Sequence, residues 1–104
     1  MTEKELQAAV LKLSHVLGYM TYHTFDSRRS QPGFPDLVLV RPHDGRLLMI
    51  ELKSARGRLT PEQEQWVEAL TATRAEVYVF RPSDWTSGKI EATLMSYLGL
   101  GDET

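Results

Sequence analysis

In the first seventeen residues, the apolar positions Leu6, Ala9, Val10, Leu13, Val16 and Leu17 recur at intervals of three and four. That is the period of one helical face, and it predicts an amphipathic helix from Thr2 to Leu17. Thr2 with Glu5 three residues later reads as a capping box, and Gly18 is a natural stop. Tyr19 to Phe25 is rich in aromatic and β-branched residues and predicts a short strand. Asp26 to Phe34 is polar, with Pro32 and Gly33 near its end, and predicts a loop. Two further runs, Asp36 to Arg41 and Arg46 to Lys53, flank Pro42-His43-Asp44-Gly45, whose Asp-Gly pair signals the turn of a β-hairpin. Leu37 to Val40 and Leu47 to Ile50 are apolar without alternation, as expected of central strands covered on both faces. A second helix opens at Thr60, with Pro61 at its first position, Gln63 at its third, and an apolar stripe of Trp66, Val67 and Leu70. Glu76 to Phe80 predicts another strand, ended by Arg81-Pro82-Ser83, and Ile90 to Leu98 a closing helix. The order αβββαβα is that of an α/β fold, a mixed β-sheet flanked by helices.

A length of 104 residues predicts a single domain spanning 1–104. The absence of cysteine removes disulfides, thiolate nucleophiles and Cys-type zinc sites together. His15, His23 and His43 are scattered without metal-ligand spacing. No apolar run approaches the roughly 20 residues of a membrane span, and no signal-peptide pattern opens the chain. The expectation is therefore a cytoplasmic protein with no membrane partner. A net charge of -2 and a pI near 5.9 argue against attachment to nucleic acid by bulk positive charge. The charge is uneven, however. Between Asp26 and Arg58 seven basic residues (Arg28, Arg29, Arg41, Arg46, Lys53, Arg56, Arg58) face four acidic ones, so this segment is +3 and the remainder -5.

Polar residues that interrupt buried strands carry the most information, because an unpartnered buried charge is unfavourable. Here they are Asp36, Glu51 and Lys53. Side chains alternate along a strand, so Glu51 and Lys53 share a face. A turn centred between His43 and Asp44 pairs residues whose numbers sum to about 87, which brings Asp36 opposite Glu51. Two adjacent, half-buried carboxylates call for a proton or a cation. Carboxylates with waters and phosphate oxygens suit Mg²⁺, and a neighbouring lysine is placed to orient water or stabilise a phosphoryl group. The competing reading of the same residues is a structural ion pair at a strand end.

Gly33-Phe34-Pro35-Asp36 followed by Glu51-Leu52-Lys53 resembles the PD-(D/E)xK nuclease superfamily, and the wider pattern resembles its VRR-NUC branch, which includes small stand-alone phage and bacterial nucleases. The similarity runs through Glu3 to Gln7, Tyr22 to Thr24, Ser27 to Ser30, Gly33 to Val40, Glu51 to Lys53, Leu59 to Gln63 with Trp66, and Val79 to Trp85. The resemblance implies a restriction-endonuclease-like core and Mg²⁺- or Mn²⁺-dependent hydrolysis of phosphodiester bonds, with no small-molecule cofactor. Asp36, Glu51 and the main-chain carbonyl of Leu52 would ligate the metal, and Lys53 would serve the water or the transition state. The resemblance also brings a first-helix glutamate into the site. It maps best to Glu3, although Glu3 and Glu5 flank the apolar stripe at similar angles, and Glu5 is the capping partner of Thr2. Gln63 is either a site residue, as the family implies, or the capping residue of its helix.

Ser27, Arg28, Arg29 and Ser30, with Arg56 and Arg58, lie in loops beside the proposed site and are candidates for phosphate contacts. His23 approaches from its strand end, where a half-buried structural histidine is the plainer expectation. By analogy with small stand-alone members of the branch, the expected protein is a bacterial or phage homodimer acting on branched DNA such as four-way junctions. The alternatives are a general duplex nickase and a catalytically silent nucleic-acid-binding module.

Overall fold

The structure is a computed structural model that describes residues 1–24, 29 and 31–96. Its elements are α1 (Glu3–Val16), β1 (Met20–His23), β2 (Leu37–Arg41), β3 (Arg46–Leu52), α2 (Pro61–Thr71), β4 (Glu76–Phe80), α3 (Pro82–Thr86) and α4 (Lys89–Met95). Every predicted element is present, and α3 is one more than expected. Pro82 does end the strand, but it also occupies the start of a helix, where its missing N–H would have no partner anyway. The predicted strand from Tyr19 narrows to Met20–His23, and Phe25 lies outside the described residues. The closing helix ends at Met95, so the predicted positions 97 and 98 also fall outside them.

The four strands form one sheet in the order β1-β2-β3-β4. β1, β2 and β3 are antiparallel neighbours, whereas β4 runs parallel to β3 after the α2 crossover. The hairpin register pairs Leu37 with Ile50 and Val38 with Met49, the pairing that the Asp-Gly turn predicts. Continuing it by one residue places Asp36 opposite Glu51.

One face of the sheet carries the core. Leu37, Leu39, Leu48, Ile50, Leu52 and Phe80 meet Leu6 and Val10 from α1 and Ile90 and Leu94 from α4. The buried line on α1 is Leu6, Val10 and Ser14, one residue every four, and Ser14 satisfies its hydroxyl by donating to the Val10 carbonyl at 2.7 Å. Val16, expected on the apolar stripe, is exposed instead. At the hairpin end, Arg41 and Arg46 are buried. Arg46 donates to both oxygens of Glu76 at 2.7 and 2.8 Å, to the Tyr19 hydroxyl at 3.0 Å, and to the carbonyls of Thr93 and Ser96 at 2.7 and 2.8 Å. Arg41 is paired with Asp44 at 2.7 Å and bonds the carbonyls of Leu94 and Ser96. The two guanidinium groups thus neutralise the carbonyl end of α4, where the helix dipole is negative. Two of the seven positive charges in the basic middle are therefore internal.

Among the described residues, the opposite face is only partly covered. α2 packs against β4, so β3 is buried on both sides as expected, apart from Leu47. β2 departs from the expectation, with Leu37, Leu39 and Arg41 buried while Val38 and Val40 are half-exposed. The register places Met20, Val40 and Leu47 in one row across this face and Tyr22, Val38 and Met49 in the next. Met20 is 66% exposed, Tyr22 61% and Leu47 38%.

Candidate nuclease site

Asp36 and Glu51 sit at the end of the β2-β3 hairpin remote from its turn. Asp36 immediately precedes β2, and its main-chain carbonyl accepts from the Thr24 amide at 3.0 Å, which ties the incoming chain to the end of β1. Its Oδ2 accepts from the main-chain N–H of Leu52 at 2.7 Å. That bond fixes the carboxylate against the neighbouring strand. Glu51, on the opposite strand, is only 2% exposed and lies outside the apolar core, on the side of the sheet toward which α2 reaches. Gln63 donates from Nε2 to Glu51 Oε2 at 3.1 Å.

Burial pushes the Glu51 carboxyl up to about 8, reinforced by the charge of Asp36 and a hydrogen bond with it. Lys53 acts in the opposite direction, and Glu3 adds a further upward push. The electrostatics thus place Asp36, Lys53 and Glu3 all within influence of one buried carboxyl. Among the described residues, no three His, Cys, Asp or Glu side chains gather as an all-side-chain metal cage would need. Two carboxylates beside a strand end are nevertheless the number and kind of ligand that Mg²⁺ takes when waters and phosphate complete its shell. The donor set fits such an ion in its hard oxygen chemistry.

The structure gives each of the candidate residues on the first and second helices its hydrogen-bond partners. Glu5 accepts from the Thr2 amide at 2.8 Å while Thr2 accepts from the Glu5 amide, so Glu5 is engaged as the cap. Glu3 points the other way, and its Oε2 accepts from the Ser54 amide at 3.1 Å, next to Lys53. Gln63 caps its helix and also bonds Glu51. Its Oε1 closes the capping box with the Thr60 amide at 2.9 Å, and its Nε2 is left to reach Glu51. The two contacts are compatible because a glutamine amide has an acceptor end and a donor end.

The first turn of α2 is held to the segment before Asp36 by close packing. Gly33 has φ +87°, and a Cβ there would lie 2.5 Å from the Glu62 carbonyl carbon and 2.8 Å from the Gln63 nitrogen. Trp66 donates from its indole to the Pro32 carbonyl at 3.1 Å, and its ring meets Phe34 edge-on at 5.1 Å. Gly33→Ala is therefore expected to lower stability by about 1–3 kcal/mol in urea unfolding. It should also push Gln63 away from Glu51.

Of the remaining candidates, Arg56 and Arg58 are exposed in the turn after Lys53, and Arg29 is exposed. Ser27, Arg28 and Ser30 lie outside the described residues. His23 is half-buried at the end of β1, where its register partner Leu37 belongs to the core face, opposite that of Asp36 and Glu51.

The model of the VRR-NUC domain family matches residues 1–84. The chain belongs to the VRR-NUC family. That places it among nucleases, with DNA as substrate. The family match spans all of Glu3, Asp36, Glu51, Lys53 and Gln63. Solved VRR-NUC structures share the fold. One VRR_NUC domain superposes with a TM-score of 0.70 at 22% identity, over 88% of this chain and 97% of that one. A VRR_NUC domain protein gives a TM-score of 0.64 at 21% identity, over 100% of this chain and 98% of that one. No curated protein matches the chain in sequence. No helix among the described residues is long and apolar enough to cross a membrane.

Proposed function

We propose that this VRR-NUC chain is a divalent-metal-dependent DNA endonuclease, selective for branched DNA such as four-way junctions and active as a homodimer. The observation that carries the reading is the buried Glu51 beside Asp36, with Lys53 two residues further along the same face. Asp36, Glu51 and the main-chain carbonyl of Leu52 would hold Mg²⁺ or Mn²⁺. Such an ion, when bound there, would supply Lewis acidity to activate a water and polarise a phosphoryl oxygen. Asp36 is oriented for this by the Leu52 amide and Glu51 by the Gln63 side chain. Lys53 donates to the attacking water or to the phosphate as charge builds on it. Glu3 fixes the main chain just beyond Lys53. Arg29, Arg56 and Arg58, with Ser27, Arg28 and Ser30, contact phosphates and set the register of the nucleic acid.

The homodimer is supported by the open sheet face. Met20, Tyr22 and Leu47 form an apolar surface next to half-exposed Val38 and Val40, and exposed apolar patches of this kind mark interfaces. A two-fold dimer built on it presents two sites for two strands. In light scattering at tens of micromolar, the wild type is expected at twice the 11.8 kDa chain mass and Leu47→Glu at the chain mass. A wild type of 11.8 kDa at that concentration removes the dimer.

The nuclease reading is tested with purified protein on labelled four-way junction, flap and linear duplex, in Mg²⁺, Mn²⁺ or EDTA. Metal-dependent cleavage confined to the branched substrates is expected. Equal cutting of all three indicates a general duplex nuclease, and binding without cleavage in either metal indicates a silent module.

A further inference from the structure

Past Lys53 the chain leaves the sheet in a short turn that is tied down at four points. The Lys53 amide donates to the Phe80 carbonyl at 3.0 Å, which extends the β3-β4 ladder by one residue. The Ser54 amide donates to Glu3. The remaining two ties come from a single nitrogen: Arg81 Nη1 donates to the Ser54 carbonyl at 2.8 Å and to the Gly57 carbonyl at 2.7 Å. Arg81 follows directly on β4, where its own amide donates to Asp84 Oδ2 at 2.8 Å, so its backbone is anchored at the start of α3.

The turn that Arg81 grips is the one against which Lys53 rests. A Cβ on Gly57 would lie 2.7 Å from Ser54 Oγ and 3.6 Å from Lys53 Cδ, so Gly57 approaches the stem of the lysine side chain. Arg56 and Arg58, both exposed, flank that glycine. The guanidinium thus bridges two carbonyls that bracket Ala55 and Arg56, closing the turn as a clasp. A lysine in its place has one point charge and no planar fork. A methionine has the bulk and no donor.

We infer that Arg81 is a positioning residue for the nuclease reaction. Through Ser54 and Gly57 it orders the turn against which the Lys53 side chain rests, and so sets that side chain on the strand face it shares with Glu51. The inference rests on the nuclease reading above. It adds a residue from outside the Asp36–Glu51–Lys53 set, acting on the lysine without touching substrate.

The test is Arg81→Met, with Arg81→Lys beside it, in the full chain. Single-turnover cleavage should slow about 10- to 100-fold in Arg81→Met, the range for loss of a group that orients a catalytic ligand. Affinity for the same DNA, measured in EDTA, should fall less than about threefold. Methylguanidinium added to Arg81→Ala should restore part of the rate, which a purely structural loss does not predict. Amide exchange should accelerate over residues 53–58 and stay unchanged over β2 and α1. A rate within twofold of wild type in Arg81→Met overturns the inference, as does unchanged exchange over 53–58. If the wild type itself cleaves nothing in either metal, the nuclease reading fails, and the positioning role fails with it. The exchange result then still reports whether the clasp orders the turn. Should Arg81→Met fail to fold, Arg81→Lys supplies the same comparison of rate and exchange.

Discussion

Lys53→Ala is expected to slow DNA cleavage by about 10²–10³-fold, the size of effect seen when one preorganised donor to a developing negative charge is removed. Asp36→Asn is expected to do at least as much. Asparagine keeps an oxygen that can accept from the Leu52 amide, now made at 2.7 Å, so the fold around the strand end is preserved. What is lost is the negative charge that a divalent ion requires. The two variants are separable by thermal unfolding with added metal. A ligand at ten times its Kd stabilises the native state by about 1.4 kcal/mol, which moves the Tm of a domain of this size by several degrees. Mg²⁺ or Mn²⁺ should produce that rise in wild type and in Lys53→Ala, and not in Asp36→Asn. Retained metal-dependent cleavage in both variants would remove these residues from the site.

Arg46→Met is expected to be the most damaging single change for stability. The guanidinium is 2% exposed and serves the Glu76 carboxylate, the Tyr19 hydroxyl and the carbonyl end of α4. Methionine fills much of the volume but leaves Glu76 charged without its partner and the carbonyls without donors. Breaking one side of a buried ion pair costs about 3–5 kcal/mol, a large part of the roughly 5–15 kcal/mol that holds a domain together. The expected fall in Tm is roughly 10–20 °C, read by circular dichroism. The pair also has a pH signature. Arg46 beside Glu76 holds this carboxyl below its ordinary value of 4.5. Its contribution is therefore complete above that value and is lost as the pH falls through the folded one. The acid limb of the wild-type stability profile should be steeper than that of Arg46→Met. A Tm within a few degrees of wild type at pH 7 would show that the helix end needs no such clamp.

The hairpin register was legible because a two-sided constraint fixed it: an Asp-Gly turn at one end and a single pairing sum, confirmed by Leu37 with Ile50 and Val38 with Met49. Both capping boxes were legible for the same reason, since a cap is a local pattern of three or four residues. The misreadings lie where a local signal had two structural outcomes. Pro82 marks the end of a strand and equally the start of a helix, and the sequence around it favours neither. An apolar strand has the same composition whether one or both faces are covered, and the sequence does not show that α2 packs against β4 and leaves one side of β2 half-exposed. Arg41 and Arg46 belonged by sequence to a basic segment, but their partners Glu76 and the end of α4 come from far along the chain. Glu3 and Glu5 have similar angles on a helical wheel; the capping box with Thr2 engages Glu5 locally, and the contact of Glu3 with the Ser54 amide comes from tertiary structure.

Position 63 shows how narrow the choice of residue becomes when one side chain answers two neighbours. Glutamate is as good as glutamine for closing a capping box, and on a free helix the exchange is close to neutral. Here the same exchange would turn a donor into a third carboxylate oxygen facing Glu51. Serine or alanine would satisfy neither demand. A library varied at this position alone should thus retain glutamine, even though each of its two duties taken separately tolerates several alternatives.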